Sequence, residues 1–166
     1  MNVVAVFGAS SPRPGDPDYA VGVRCGRLLA DAGYAVATGG YAGLMEAVSL
    51  GARRAGGRVI GVTVPDVFPN RPAGNEHLTE EMRAATLLER IHELVEVSVA
   101  SIALPGSLGT ATELLVAWNL AFVTRFTNAV PKPVIADELE TDGSLVTLVD
   151  TVDDAVAAIA IATGVR

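Results

Sequence analysis

Apolar residues fall along this chain in short β-branched runs that alternate with longer stretches whose apolar positions recur every three to four residues. The first run, Val3–Phe7, is apolar throughout and closed by Gly8, the pattern of a strand buried on both faces and followed by a tight loop. Behind it the spacing predicts a helix capped by Asp16, with Pro17 in its first turn and Gly33 ending it in the left-handed conformation. Val21, Cys25, Leu28, Leu29 and Ala32 share one stripe of that helix, which makes Cys25 a packing residue rather than a reactive thiol. Ala35–Thr38 reads as the second strand, leading through Gly39-Gly40-Tyr41-Ala42-Gly43 into a helix from Leu44 to about Ala55 that Gly56-Gly57 closes.

Arg58–Thr63 reads as the third strand, and Pro65–Thr79, with its several prolines, as a loop of a length uncommon unless it functions. A short strand is expected near Glu81–Arg83, a helix from Leu87 to about Val97, and an apolar strand over Val99–Leu104. Pro105-Gly106-Ser107-Leu108-Gly109-Thr110 then opens a long helix reaching about Phe126. Pro133–Ala136 and Leu145–Val149 read as the last strands, with no obvious helix between them, and Thr151 caps a terminal helix from Val152. Strands alternating with helices predict a doubly wound α/β fold over residues 1–166 as one domain. Its sheet should be mostly parallel, with about six to seven strands and helices on both faces.

Ligands of such sheets sit beyond the carboxyl ends of the strands, and three glycine-bearing loops fall there: Gly8-Ala9-Ser10-Ser11, Gly39 to Gly43, and Pro105 to Thr110. Glycine lets the backbone approach an anion, and the helix that follows offers N–H groups and a dipole end worth about 0.3 to 1 kcal/mol. Gly8, Ser10, Gly39, Gly40, Gly43, Gly106, Ser107, Leu108, Gly109 and Thr110 are therefore the candidate phosphate-binding positions. Neither G-x-G-x-x-G nor G-x-x-x-x-G-K-[ST] occurs, so the phosphate site is of another type.

Glu113 lies one helical turn beyond Gly109, so its carboxylate can point back towards the same loop. On the preceding helix Leu87, Ile91, Leu94 and Val95 form the apolar face, with Arg90 at its edge, where its guanidinium can reach a cleft. Glu89 and His92 fall on the solvated side.

The formal charge of −7 argues against a nucleic-acid partner, because long polyanions are held by clustered Lys and Arg, whereas helix N–H groups can still bind a small phosphate ester. One cysteine excludes an internal disulfide and agrees with a reducing compartment. With His77, His92 and that cysteine, a protein-built zinc site is not expected. The start of the chain lacks a basic segment before an apolar run, and no apolar stretch reaches the roughly 20 residues that span a bilayer, so a soluble, cytoplasmic protein with no membrane partner is expected.

The stretch Leu87-Leu88-Glu89-Arg90, followed by Pro105-Gly106-Ser107-Leu108-Gly109-Thr110-Ala111-Thr112-Glu113, resembles the LOG (Lonely Guy) family, whose hallmark is P-G-G-x-G-T-x-x-E after an upstream E-R pair. Gly39-Gly40-Tyr41-Ala42-Gly43-Leu44-Met45-Glu46 is similar to that family's second glycine motif. The resemblance covers about residues 1 to 136. It implies a Rossmann-like homodimer, without a cofactor, that hydrolyses the N-glycosidic bond of a nucleoside 5′-monophosphate, a cytokinin ribotide or AMP, to free base and ribose 5-phosphate. By position it implies that Arg90 and Glu113 are the catalytic pair, that Gly106, Gly109 and Thr110 belong to the phosphate loop, and that Met45 borders the nucleotide. A carboxylate about 4 Å from the positive charge that develops on the ribose would stabilise it by roughly 4 kcal/mol at an effective dielectric of 20. Glu113 can instead position the ribose hydroxyls or activate water, and Arg90 can anchor the phosphate or help the base leave.

Ser107 replaces the family's second glycine, and Leu87, Leu88 and Ile91 stand where the family often has Met, His and Lys. The shortened segment after Ala136 bears on the dimer, because late helices of this fold contribute to it. Relatives have been labelled lysine decarboxylases, but that chemistry needs a lysine Schiff base with pyridoxal phosphate, and Lys132, the only lysine, sits between two prolines ahead of a strand. The other class compatible with these loops is a non-catalytic carrier of nucleotide or molybdenum cofactor. Retention of both Arg90 and Glu113 favours the enzyme.

Overall fold

A computed structural model of the protein describes residues 1–68, 70, 73–127, 129–136 and 146–164. Its elements run β1 (Val3–Phe7), α1 (Pro17–Asp31), β2 (Ala35–Thr38), α2 (Leu44–Arg54), β3 (Val59–Thr63) and β4 (Glu80–Arg83), then α3 (Leu87–Glu96), β5 (Ala100–Ala103), α4 (Leu108–Thr124), β6 (Val134–Ala136), β7 (Val146–Leu148) and α5 (Val152–Thr163). The strands form one sheet in the order β4-β3-β2-β1-β5-β6-β7. Each pairing is parallel, which is more uniform than the mostly parallel sheet expected from sequence. This is the doubly wound, Rossmann-like α/β architecture, with its strand order reversing at β1, between β2 and β5.

The period of two along each strand sorts the core into two layers. Val3, Ala5 and Phe7 of β1 pack with Leu94 and Val95 of α3 and Leu114 and Ala117 of α4. Val4 and Val6 pack on the opposite side with Cys25 and Leu29 of α1, Val48 of α2 and Ile159 of α5. Both faces of the sheet are thus covered, which is why the inner strands β1 and β3 read as apolar runs, whereas the edge strand β4 is charged and mostly exposed. Helices α1 and α2 cross at two glycines. A Cβ on Gly26 would overlap the Val48 carbonyl, and one on Gly51 the Val23 carbonyl, so the two backbones approach closer than any side chain permits.

Several local expectations change. Asp16 occupies the N-cap position of α1 without capping it, because its carboxylate accepts from the Arg13 N–H at 2.8 Å. Gly33, with φ 83°, does follow the end of α1 in the left-handed region. Val21 is 38% exposed, so the α1 stripe begins in effect at Cys25, whose thiol is fully buried and pushed up to about 12. Leu87 is 43% exposed as well, because it opens α3 next to the N-cap Thr86, ahead of the turn that meets the sheet. Thr151 caps α5 as expected, its hydroxyl accepting from the Asp154 N–H at 3.2 Å. Residues 69, 71 and 72 of the expected long loop, the stretch 137–145 in which no helix was expected, and Leu145 of the expected last strand lie outside the described residues. No described helix is long and apolar enough to cross a membrane.

Candidate active site

The three glycine loops leave the carboxyl ends of β1, β2 and β5, which are neighbours in the sheet, and main-chain hydrogen bonds tie them together. The Ala9 N–H donates to the Pro105 carbonyl at 3.2 Å, and the Ala9 carbonyl accepts from the Leu44 N–H at 2.8 Å. Gly43 lies against that same loop: a Cβ there would stand 2.5 Å from the Ala9 carbonyl oxygen and 2.6 Å from Ser10 Cα. Gly8 faces Leu44 in the same way.

In the β5 loop Gly106, Ser107, Leu108 and Gly109 are exposed and Thr110 is buried. A Cβ on Gly106 would overlap the Thr110 side chain, so this glycine lets the loop fold onto the first turn of α4. Ser107 holds the N-cap position in extended geometry, and its hydroxyl makes no capping bond. The first N–H groups of α4 have no partners within the helix and point, with the positive dipole end, to where the loop opens. An anion placed there would meet main-chain donors and the Ser107 hydroxyl.

Arg90 comes from α3, whose start is fixed by a variant of the capping box in which Glu89 reaches past the N-cap Thr86 to Ala85. The Thr86 hydroxyl accepts from the Glu89 N–H at 3.1 Å, and the Glu89 carboxylate accepts from the Ala85 N–H at 2.7 Å. Glu89 is exposed, as expected, but it is not idle; the Thr86-x-x-Glu89 pattern was the signal that could have found it. The Arg90 side chain is buried, not at the edge of a face. Its Nε donates to the Val62 carbonyl at 2.9 Å, its Nη1 donates to Glu113 Oε1 at 2.9 Å, and its Nη2 lies 3.8 Å from Met45 Sδ. Arg90 and Glu113 are 9% and 7% exposed, so the pair forms largely out of water. Burial pushes the Glu113 carboxyl up from the ordinary carboxylate range, against the opposite pull of the Arg90 charge.

The structure thus brings together Arg90, Glu113, Met45 and Gly39, while Gly8, Ser10 and Gly43 gather on the interlocked β1 and β2 loops and Gly106 to Thr110 stand at the head of α4. Gly40 faces the other way, towards Thr63 and the loop that follows β3. Asn75, which the sequence marks only as a loop residue, ties that loop to the second glycine loop: its N–H donates to the Gly40 carbonyl at 2.7 Å and its side-chain amide to the Gly40 and Tyr41 carbonyls at 3.0 and 3.1 Å. The Tyr41 hydroxyl accepts from the Val64 N–H at 2.8 Å. A lone Asn and a lone Tyr in loops carry no periodicity, so nothing in the pattern marked them. A separate cavity of about 450 Å³ opens on the α1 and α5 side, between Arg24, Leu104 and Asp153; it touches Pro105 but neither Arg90 nor Glu113.

A Rossmann-like sheet that carries interlocked glycine loops at its reversal point, with a buried acid–guanidinium pair between α3 and α4, defines the class: a doubly wound α/β domain whose candidate site lies at the carboxyl ends of its central strands. Sequence comparison then gives the family. The chain belongs to the SLOG cluster4 family, whose profile matches residues 1–156, in line with its resemblance to the LOG family. A probable cytokinin riboside 5′-monophosphate phosphoribohydrolase of Oryza sativa subsp. japonica is 38% identical over 113 residues, 68% of this chain and 46% of that protein. A cytokinin riboside 5′-monophosphate phosphoribohydrolase of Mycobacterium tuberculosis is 33% identical over 117 residues, 70% of this chain and 62% of that one. The chain therefore spans less than two thirds of either relative's length. Among solved structures, a structural-genomics target is 29% identical with a TM-score of 0.75, over 96% of this chain and 98% of that one. The molybdenum cofactor binding protein of Rippkaea orientalis shares the fold, at 24% identity and a TM-score of 0.79 over 98% of both chains.

Proposed function

We propose that the protein hydrolyses the N-glycosidic bond of a nucleoside 5′-monophosphate, a cytokinin ribotide or AMP, releasing free base and ribose 5-phosphate. The observation that carries this reading is the buried pair of Arg90 from α3 and Glu113 from α4, 2.9 Å apart, with Glu113 on the helix whose first turn opens from the glycine loop. Main-chain N–H groups at Gly106 to Thr110, joined by the Ser107 hydroxyl and by the β1 loop at Gly8 and Ser10, hold the 5′-phosphate. As the C1′–N bond breaks its electron pair leaves with the base, and positive charge spreads over C1′ and the ring oxygen. The Glu113 carboxylate faces that charge, and at about 4 Å in an effective dielectric of 20 this is worth roughly 4 kcal/mol, about a thousandfold in rate. Water then adds to C1′, and the proton it gives up goes to the nitrogen of the departing base, so that free base and ribose 5-phosphate result. Arg90 holds the carboxylate in place and keeps it ionised within a buried setting. No metal or cofactor enters this chemistry.

The same reading makes the protein a single cytoplasmic domain that acts on a small nucleotide rather than on nucleic acid, as a homodimer. Helix α4 supports the dimer: it carries no charge from Leu114 to Thr124 and exposes Leu115, Phe122 and Val123, with Phe126 just beyond. In a chain of net charge −7, an uncharged apolar face is where a second copy can approach without repulsion.

The deciding experiment incubates the purified protein with AMP and with an N6-substituted analogue and measures free base. Hydrolysis that disappears in Glu113→Gln while the nucleotide still binds supports the enzyme. Tight binding with no turnover by the unaltered protein refutes it in favour of a carrier.

A further inference from the structure

Gly39 and Gly40 stand side by side at the end of β2 but are glycines for different reasons. Gly40 has φ 76°, in the region that favours glycine, and lies against Thr63 and Gly61. Gly39 is outside the left-handed region, so its backbone would accept any residue. What it lacks room for is a Cβ. One built there would overlap Arg90 Nη2 and stand 2.8 Å from Arg90 Cζ and 2.7 Å from Met45 Sδ. The guanidinium lies over the Gly39 Cα, with the Val62 carbonyl on Nε, Glu113 on Nη1 and the Met45 thioether beside Nη2. Of these four neighbours, two are main chain, and at one of them, Gly39, any side chain would overlap the guanidinium.

We propose that Gly39 is a positioning residue: its missing side chain is the space in which the Arg90 guanidinium sits, and this seat aims Arg90 at Glu113. The second glycine loop then serves the site through Arg90, and at Gly39 no phosphate contact is needed to explain the glycine. The activity arm of this proposal rests on the N-glycosidase reading given above; the seat itself does not.

The test is Gly39→Ala, alone and combined with Arg90→Ala. If the seat is right, Gly39→Ala lowers kcat for AMP hydrolysis by about 100-fold, the scale of a misplacement near 1 Å, with KM nearly unchanged. Among the described residues, Arg90 is the charged group that acts on the Glu113 carboxyl, and it draws its titration downwards. Displacing it should therefore move that titration up, followed by carbon-13 NMR of the side chain with Glu113→Gln to assign the signal. Once Arg90 is alanine the overlap with the guanidinium is gone and the flexible Met45 side chain, whose Sδ stands 2.7 Å from the new Cβ, can turn into the vacated space, so adding Gly39→Ala to Arg90→Ala should leave Tm and the Glu113 titration where Arg90→Ala puts them. This double variant also serves if Gly39→Ala alone does not fold. An unchanged kcat and titration in Gly39→Ala, or an equal loss of Tm from Gly39→Ala in both backgrounds, overturns the proposal. If the unaltered protein hydrolyses nothing, the enzyme reading falls while the titration and the double variant still decide the seat.

Discussion

Replacing Arg90 by methionine keeps most of the side chain's length and removes its charge, leaving the Glu113 carboxylate buried without a partner. In the native pair the donor and acceptor are 2.9 Å apart, and two unit charges about 4 Å apart attract by about 4 kcal/mol at an effective dielectric of 20. The Val62 carbonyl also loses its donor, at about 1–3 kcal/mol for a buried acceptor. Against this, the guanidinium's own desolvation cost disappears, so the net loss should fall in the range of about 3–5 kcal/mol found when one member of a buried pair is removed. At about 2–4 °C per kcal/mol for a chain of this size, Tm at alkaline pH drops by roughly 10 °C. The loss depends on pH in a definite direction. Without Arg90 the folded-state pKa of Glu113 rises further above its unfolded value, and a group of that kind contributes stability at low pH that is lost as pH rises through the folded pKa. Denaturant unfolding of both proteins, followed by circular dichroism from about pH 8 down to about pH 5, should show the deficit shrinking on acidification as Glu113 takes up its proton, with a remainder from Val62. A deficit of the same size at every pH, or wild-type stability at pH 8, would refute the buried-carboxylate argument.

Three further outcomes are expected. Because burial raises the Glu113 carboxyl, hydrolysis should fail on acidification with a midpoint above the ordinary value of 4.5; a pH profile of kcat/KM that stays level down to that value would contradict a role for the ionised carboxylate. Gly51→Ala places a Cβ onto the Val23 carbonyl at the α1–α2 crossing and should cost about 1–3 kcal/mol as overpacking, read as a lowered midpoint in urea with unchanged slope. Phe122→Asp on the exposed face of α4 should shift sedimentation velocity from dimer to monomer while far-ultraviolet circular dichroism is retained.

Much of this fold was legible because the inner strands β1, β2, β3 and β5 are buried on both sides and each crossover helix is punctuated by glycine, proline or a hydroxyl cap. The order of elements and the glycine loops at strand ends follow from that alternation alone. What the pattern could not carry was partner choice. A helical wheel places Arg90 at an edge because it assigns a charge to water; the acceptors that draw it inside are a carbonyl 28 residues earlier and a carboxylate 23 residues later. Asp16 fails as a cap for a similar reason, since the Arg13 N–H competes for its carboxylate. Leu87 counts as apolar on the wheel, but in the first turn of α3 it has not yet reached the sheet.

Ala9 is joined through its own amide and carbonyl to both flanking loops, one bond to Pro105 and one from Leu44. Drift at this position is therefore filtered by chemistry that the genetic code barely sees. Both links are made by main chain, so small side chains that fit beside the core leave them in place, whereas proline is barred because it removes the donor. The link between the three loops is in this way carried by peptide groups, which no substitution other than proline can delete.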